Sequence, residues 1–182
     1  MKQNKIKKKF IYLISPTKIK SNNFYIDLEL IFNTNKVSFF QLRLKKEAYK
    51  DKLEIGKKIK KICKKYKVKF LINDDPILAK KLNADGCHLG QSDTNILKAR
   101  KILKNKIIGV TCHNSIHLAK IAIASGADYI AFGAFYSTQT KVVKYKASLK
   151  ILKSVKKITH LPIVAIGGIK FTNYKKLLLN KV

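Results

Sequence analysis

The segment Ala84-Asp85-Gly86-Cys87-His88-Leu89-Gly90 returns further along the chain as Ala127-Asp128-Tyr129-Ile130-Ala131-Phe132-Gly133. Both copies have the form A-D-x-x-x-x-G. Each reads as the end of a helix, an aspartate that turns the chain, a short strand, and a glycine at the strand's C-terminal exit. A repeated module of this kind fits a barrel of strand–helix units better than a sheet with two unlike halves, although a doubly wound sheet would share the pattern.

On either side of the two copies, short apolar runs rich in β-branched and aromatic residues recur. They are Phe10–Ile14, Val37–Leu44, Val68–Ile72, Gly86–Leu89, Ile107–Val110, Tyr129–Phe132 and Ile163–Ile166. Between them, Glu47–Tyr66 places Leu53, Ile55, Ile59 and Ile62 at spacings that suit one helix face. Ile96–Leu103 and Ser115–Ser125 also read as helices, the latter capped by Asn114 or Ser115, and Asn173–Leu179 reads as the last. Strands alternating with helices imply parallel pairing with both sheet faces covered. The expected fold is α/β, a (β/α)8 TIM-barrel type that lacks the eighth β/α unit, in a single domain over residues 1–182. Complete barrels run from about 200 residues upward.

Composition narrows the class. Hydrophobic residues make up 46% and charged residues 27% of the 182, the balance of a soluble globular chain. The apolar run after the basic start is too short for a signal peptide or a membrane span, so a cytoplasmic protein with no membrane partner is expected. Cys63, Cys87 and Cys112 are odd in number and widely spaced, which predicts reduced, buried thiols. The formal charge of +30 comes almost wholly from lysine, since Arg43 and Arg100 are the two arginines. Lysines occur in every expected helix, which points to a solvated coat rather than a specific nucleic-acid interface. Weak, nonspecific attraction to polyanions is expected.

Acidic residues number ten, so those directly after strands stand out. Asp74 follows Val68–Ile72 and Asp93 follows Gly86–Leu89, and barrel sites form at such strand ends. Two carboxylates with water or phosphate oxygens are how Mg²⁺ is usually held. Asp75, before Pro76, reads instead as a helix cap. Gln41, Arg43 and Lys45 alternate along one strand, so all three face one side, where Arg and Lys need an anion if that side is interior. An outward-facing edge strand, with Leu42 and Leu44 inside, is the alternative.

The loop Ser137-Thr138-Gln139-Thr140-Lys141 offers hydroxyls, backbone N–H groups and a cation for a phosphate. Thr111 adds a hydroxyl, and Gly167-Gly168 permits close backbone approach, with Thr172 starting a helix whose N-terminus favours anions. His113 and His117 are four apart but lack H-E-x-x-H, so packing or surface placement is expected over zinc. Nucleotide-binding glycine loops and hydrolase patterns are absent.

Taken together, Gln41-Leu-Arg-Leu-Lys45, Asn73-Asp74, Gly86-x-His88-Leu-Gly-Gln-x-Asp93, Gly109-Val-Thr, Gly126-Ala-Asp-Tyr, Thr138-Gln-Thr-Lys141 and Ala165-Ile-Gly-Gly-Ile169 have the order and spacing found in thiamine phosphate synthases. The chain resembles that family from Tyr12 to about Asn173. The resemblance implies a Mg²⁺-dependent transferase that joins hydroxymethylpyrimidine diphosphate to a thiazole phosphate, giving thiamine phosphate and diphosphate. It implies that Gln41, Arg43 and Lys45 hold the pyrimidine diphosphate with Asn73, Thr111 and Lys141, that Asp74 and Asp93 bind Mg²⁺, and that Thr138, Thr140 and Gly168 hold the thiazole phosphate. The family pattern usually has Ser where this chain has Thr111, and the hydroxyl is kept. The family continues with a further strand that contacts the thiazole phosphate. Without it, open first and seventh strands are expected, with weaker thiazole phosphate binding, lower stability, or a homo-oligomer formed through the open edge. Competing readings are a thiazole tautomerase-like paralogue, an inactive short barrel, and, in another class, a lysine-rich polyanion-binding protein.

Overall fold

A computed structural model describes residues 11–138 and 144–180. By internal contacts the chain falls into two units, Met1–Leu71 and Ile72–Val182.

In the first unit, β1 (Ile11–Ile14), α1 (Asn23–Asn33), β2 (Val37–Leu42) and α2 (Tyr49–Lys65) follow one another. β1 and β2 are parallel, with Ile14 opposite Gln41, as a connecting helix requires. Phe32 of α1 meets the Phe40 and Tyr66 rings edge-on at 5.8 and 6.1 Å, the arrangement that suits ring quadrupoles. α2 buries Gly56, Ile59 and Cys63 at spacings of three and four, and Leu53, Ile55 and Ile62 flank that stripe half-buried. Lys67 then turns the chain at φ 54°, and the Val68 N–H closes on the Cys63 carbonyl. α1 has no counterpart among the sequence expectations.

β3 (Lys69–Asn73) crosses into the second unit, which continues with α3 (Pro76–Lys81), β4 (Gly86–Leu89), α4 (Ile96–Leu103), β5 (Ile107–Thr111), α5 (Ile116–Ala124), β6 (Tyr129–Phe132), α6 (Leu149–Lys156), β7 (Ile163–Ala165) and α7 (Tyr174–Leu179). β4, β5, β6 and β7 pair in that order, all parallel. β4 and β6, the two repeat copies, have the bounds expected and are buried at every residue. Being covered on both faces explains their largely apolar character, with His88 the exception. β7 is half-buried throughout.

The module's aspartate and glycine have clear physical roles. Asp128 accepts from the Ile108 N–H and from Arg100, both at 2.7 Å, tying the start of β6 to β5. At Gly86, a Cβ would lie 1.9 Å from the Ile107 carbonyl oxygen, so only glycine lets β4 and β5 approach as they do. The helix starts are likewise specific. Asp75 caps α3 by accepting from the Leu78 N–H at 2.8 Å, as expected, with Pro76 in the first turn. Ser115, not Asn114, caps α5, because Asn114 is engaged by the Ser148 N–H. All three cysteines are buried, and none is in a disulfide. No described helix is long and apolar enough to cross a membrane.

Candidate active site

In the first unit, Gln41 and Leu42 end β2, and both are buried. The strand was expected to run to Leu44. It stops at Leu42, so Arg43 and Lys45 stand beyond the last ladder bond rather than alternating within a strand. Arg43 is half-buried, Lys45 exposed, and Leu44 between them buried. The cause is a long-range hydrogen bond: the Arg43 N–H leaves the ladder and donates to the buried Ser15 hydroxyl at 2.8 Å, while Ser15 donates to the Pro16 carbonyl. Buried Leu42 and Leu44 with an exposed Lys45 match the alternative that put those leucines inside, whereas the buried Gln41 does not.

In the second unit the candidate residues collect at the C-terminal ends of β3, β4 and β5. Asn73 ends β3. Asp74 follows at φ 65°, a left-handed conformation uncommon outside glycine and Asn or Asp, and its N–H donates to the His88 carbonyl at 2.7 Å. Asp93 caps the turn after β4, its Oδ2 accepting from the Gly90 N–H at 2.8 Å. A Cβ at Gly90 would lie 2.6 Å from that oxygen. Burial first, and then the charges of Asp74, Asp75 and Asp93, push the Cys87 thiol up. The two carboxylates, Asp74 and Asp93, thus follow the ends of neighbouring strands.

Thr111 ends β5 half-buried. Its hydroxyl lies 2.8 Å from Nε2 of His88, a residue the motif reading quoted but gave no role. His88 is buried on β4, and its Nδ1 lies 2.7 Å from the Tyr129 hydroxyl. Burial pushes its pKa down to about 4, with Asp74 opposing, so the ring is neutral at physiological pH. The signal that could have found it is a polar residue inside an otherwise apolar four-residue run. His113 stacks on Tyr145 with centroids 4.3 Å apart and His117 is exposed.

The loop after β6 meets the turn after β7. The Phe135 and Tyr136 N–H groups donate to the Ile166 and Gly167 carbonyls. A Cβ at Gly168 would lie 2.3 Å from the Ser137 carbonyl oxygen, and Gly168 also has φ 64°. Thr138, the next residue in that loop, is thereby brought beside Gly168 along the backbone. Thr140 and Lys141 lie outside the described residues. Thr172 does not start a helix. α7 begins at Tyr174, because Asn173 folds back, accepting from the Lys170 N–H and donating to the Gly168 carbonyl.

The donor set also bears on the metal. Among the described residues no group of three or more His, Cys, Asp or Glu side chains is placed to hold an ion. Two strand-end carboxylates suit an ion that keeps several waters and takes substrate phosphate oxygens, which is the habit of Mg²⁺ and not of a structural zinc.

Comparison with known proteins gives the family. A family model described as thiamine monophosphate synthase matches residues 11–182. The chain is 77% identical over 181 residues to a thiamine-phosphate synthase of Pelagibacter ubique, covering 100% of this chain and 87% of the relative. It is 41% identical to one from Clostridium acetobutylicum, over 92% of this chain and 80% of that protein. Among solved structures, thiamine phosphate pyrophosphorylase from Pyrococcus furiosus matches with a TM-score of 0.81 at 28% identity, covering 96% of this chain and 83% of that one. That likeness gives the fold class expected from the repeat, a (β/α)-barrel type with seven strand–helix units among the described residues. The chain belongs to the thiamine monophosphate synthase family.

Proposed function

We propose that this chain is a cytoplasmic transferase that condenses hydroxymethylpyrimidine diphosphate with thiazole phosphate, releasing diphosphate, with Mg²⁺ held by Asp74 and Asp93. The observation that supports the site assignment is the place of those two carboxylates at neighbouring strand ends, Asp74 bonded through its N–H to the His88 carbonyl of β4 and Asp93 closing the turn that follows β4. In the reaction the bond between the pyrimidine methylene carbon and the diphosphate oxygen breaks, and the thiazole nitrogen forms the new bond with its lone pair. The electron pair of the broken bond leaves with diphosphate. When bound, Mg²⁺ neutralises charge that develops on that leaving group.

The protein's own groups supply the rest. Arg43, Lys45 and Lys141 offer cationic donors to the diphosphate, of which Arg43 can bind two oxygens at once. Gln41 and Asn73 orient the pyrimidine diphosphate through amide hydrogen bonds, and Thr111 adds a hydroxyl. Thr138, Thr140 and the backbone at Gly168 receive the thiazole phosphate. No general base is required, which fits a site whose imidazole is buried and neutral.

The test is thiamine phosphate formation by purified protein, with and without Mg²⁺. Asp93→Asn keeps an oxygen to accept from the Gly90 N–H while removing the charge. It should lower kcat/KM by about a thousandfold, the scale of losing a pre-placed electrostatic group. Turnover unchanged in the variant, or in chelator, sinks the assignment. Isomerisation of thiazole phosphate without diphosphate release would instead indicate the tautomerase reading.

A further inference from the structure

His88, Gly109 and Tyr129 stand in one row across β4, β5 and β6. Gly109 has no side chain, and a Cβ there would lie 1.8 Å from the Tyr129 ring. The gap lets the Tyr129 ring cross β5 and place its hydroxyl 2.7 Å from Nδ1 of His88. The other edge of the imidazole meets Thr111 Oγ1 at 2.8 Å through Nε2. The two rings also stack, with centroids 5.6 Å apart. A polar chain therefore runs from a buried phenol, through a buried imidazole, to a hydroxyl at the rim.

A neutral imidazole has one N–H and one lone pair. Two hydroxyls face this ring, and only one can donate to it. A phenol, with a pKa near 10, is a stronger acid than an aliphatic alcohol and the better donor. Imidazole nitrogen is in turn a better acceptor than phenol oxygen. Tyr129 thus donates to Nδ1, the ring proton sits on Nε2, and that N–H donates to Thr111 Oγ1. Among the described residues His88 is the one partner of the Thr111 hydroxyl. With the ring side occupied by an incoming N–H, the Thr111 proton must point away from it. In the opposite tautomer Thr111 would donate inward and present lone pairs to the rim, which repel an anion.

We propose that Tyr129 and His88 are positioning residues that fix the Thr111 hydroxyl as an outward hydrogen-bond donor to a diphosphate oxygen. This rests on the synthase reading of the same site. The family's usual serine at position 111 would serve equally, since only the hydroxyl is used.

The experiment has two arms, neither of which needs turnover. Imidazole ¹⁵N NMR of the whole protein should show a pyridine-type Nδ1 and a protonated Nε2 for His88. Calorimetric binding of inorganic diphosphate with Mg²⁺ is then compared in the unaltered protein and four variants. Tyr129→Phe keeps the ring and should weaken binding about tenfold, as should Thr111→Val, the scale of one charge-assisted hydrogen bond. The double variant should bind within about twofold of Thr111→Val alone, because both changes remove the same bond. Thr111→Ser should retain affinity. A proton on Nδ1, or losses that multiply in the double variant, overturns the proposal. If Tyr129→Phe fails to fold, the NMR spectrum of the unaltered protein decides alone. Coupled diphosphate binding without thiamine phosphate formation would remove the synthase reading and leave this one standing. Normal turnover with multiplying losses would do the reverse.

Discussion

β4 and β6 are two copies of one module, and they spend the same positions differently. The flanking Ala, Asp and Gly are shared, and they set where each strand starts and stops. At the third position β4 has Gly86, which lets β5 come close, whereas β6 has Tyr129, whose ring reaches over β5. At the fifth, β4 has His88 and β6 has Ala131, which is wholly buried. The framework residues are therefore duplicated, while the polar residues are unique to one copy and complete each other across Gly109. A repeat of this kind gives the scaffold twice and the chemistry once.

That contrast can be broken at graded positions. The largest effect is expected at Gly86, where a Cβ meets backbone rather than a movable side chain. Gly86→Ala should destabilise the protein by about 3 kcal/mol or more in chemical denaturation, while Ala131→Gly in the other copy should cost only about 1 kcal/mol. Next comes His88→Ala, which opens a cavity and strands the Tyr129 and Thr111 hydroxyls, for a loss of about 2–3 kcal/mol. The same residue predicts a pH dependence. Its folded pKa of about 4 lies below the ordinary 6.5, chiefly because of burial, so the unfolded chain binds the proton first. Stability is full above pH 6.5 and falls as pH drops toward 4, at most by roughly tenfold in the folding constant per pH unit. His88→Asn should flatten the slope in that window, and an unaltered slope would assign it elsewhere. The smallest effect is at Asp128, where Asp128→Asn keeps one oxygen for the Ile108 N–H but gives up the half-exposed Arg100 pair. About 1 kcal/mol is expected, shrinking with added salt.

Much of the framework was legible because turns are written in few residues. β4 and β6 were bounded by their own Asp and Gly, and the α3 cap by Asp75-Pro76. β2 was overextended because Arg43-Leu44-Lys45 keeps the strand's alternation. Its ladder is ended by the Ser15 hydroxyl, a residue far away in sequence. α1 was missed since Ile26, Leu30 and Ile31 are exposed, which erases the polar face a helix normally shows. α6 was overlooked, although its buried Ile151, Leu152 and Val155 keep helical spacing. At the site, strand-end carboxylates could be read from position alone. The His88 arrangement could not, because it depends on the register that aligns His88, Gly109 and Tyr129 on separate strands.

The three enclosed cysteines have a practical outcome. Burial pushes the Cys112 thiol up to about 12 and raises Cys87 as well, so neither exists as thiolate at neutral pH. Alkylating reagents can modify them only while the surrounding strands are parted. The rate at which label enters Cys87 or Cys112 is therefore a clock for local opening of β4 and β5, and Cys63 supplies an independent clock for α2. Native amino acids thus furnish built-in reporters of breathing in each unit, with no engineered probe.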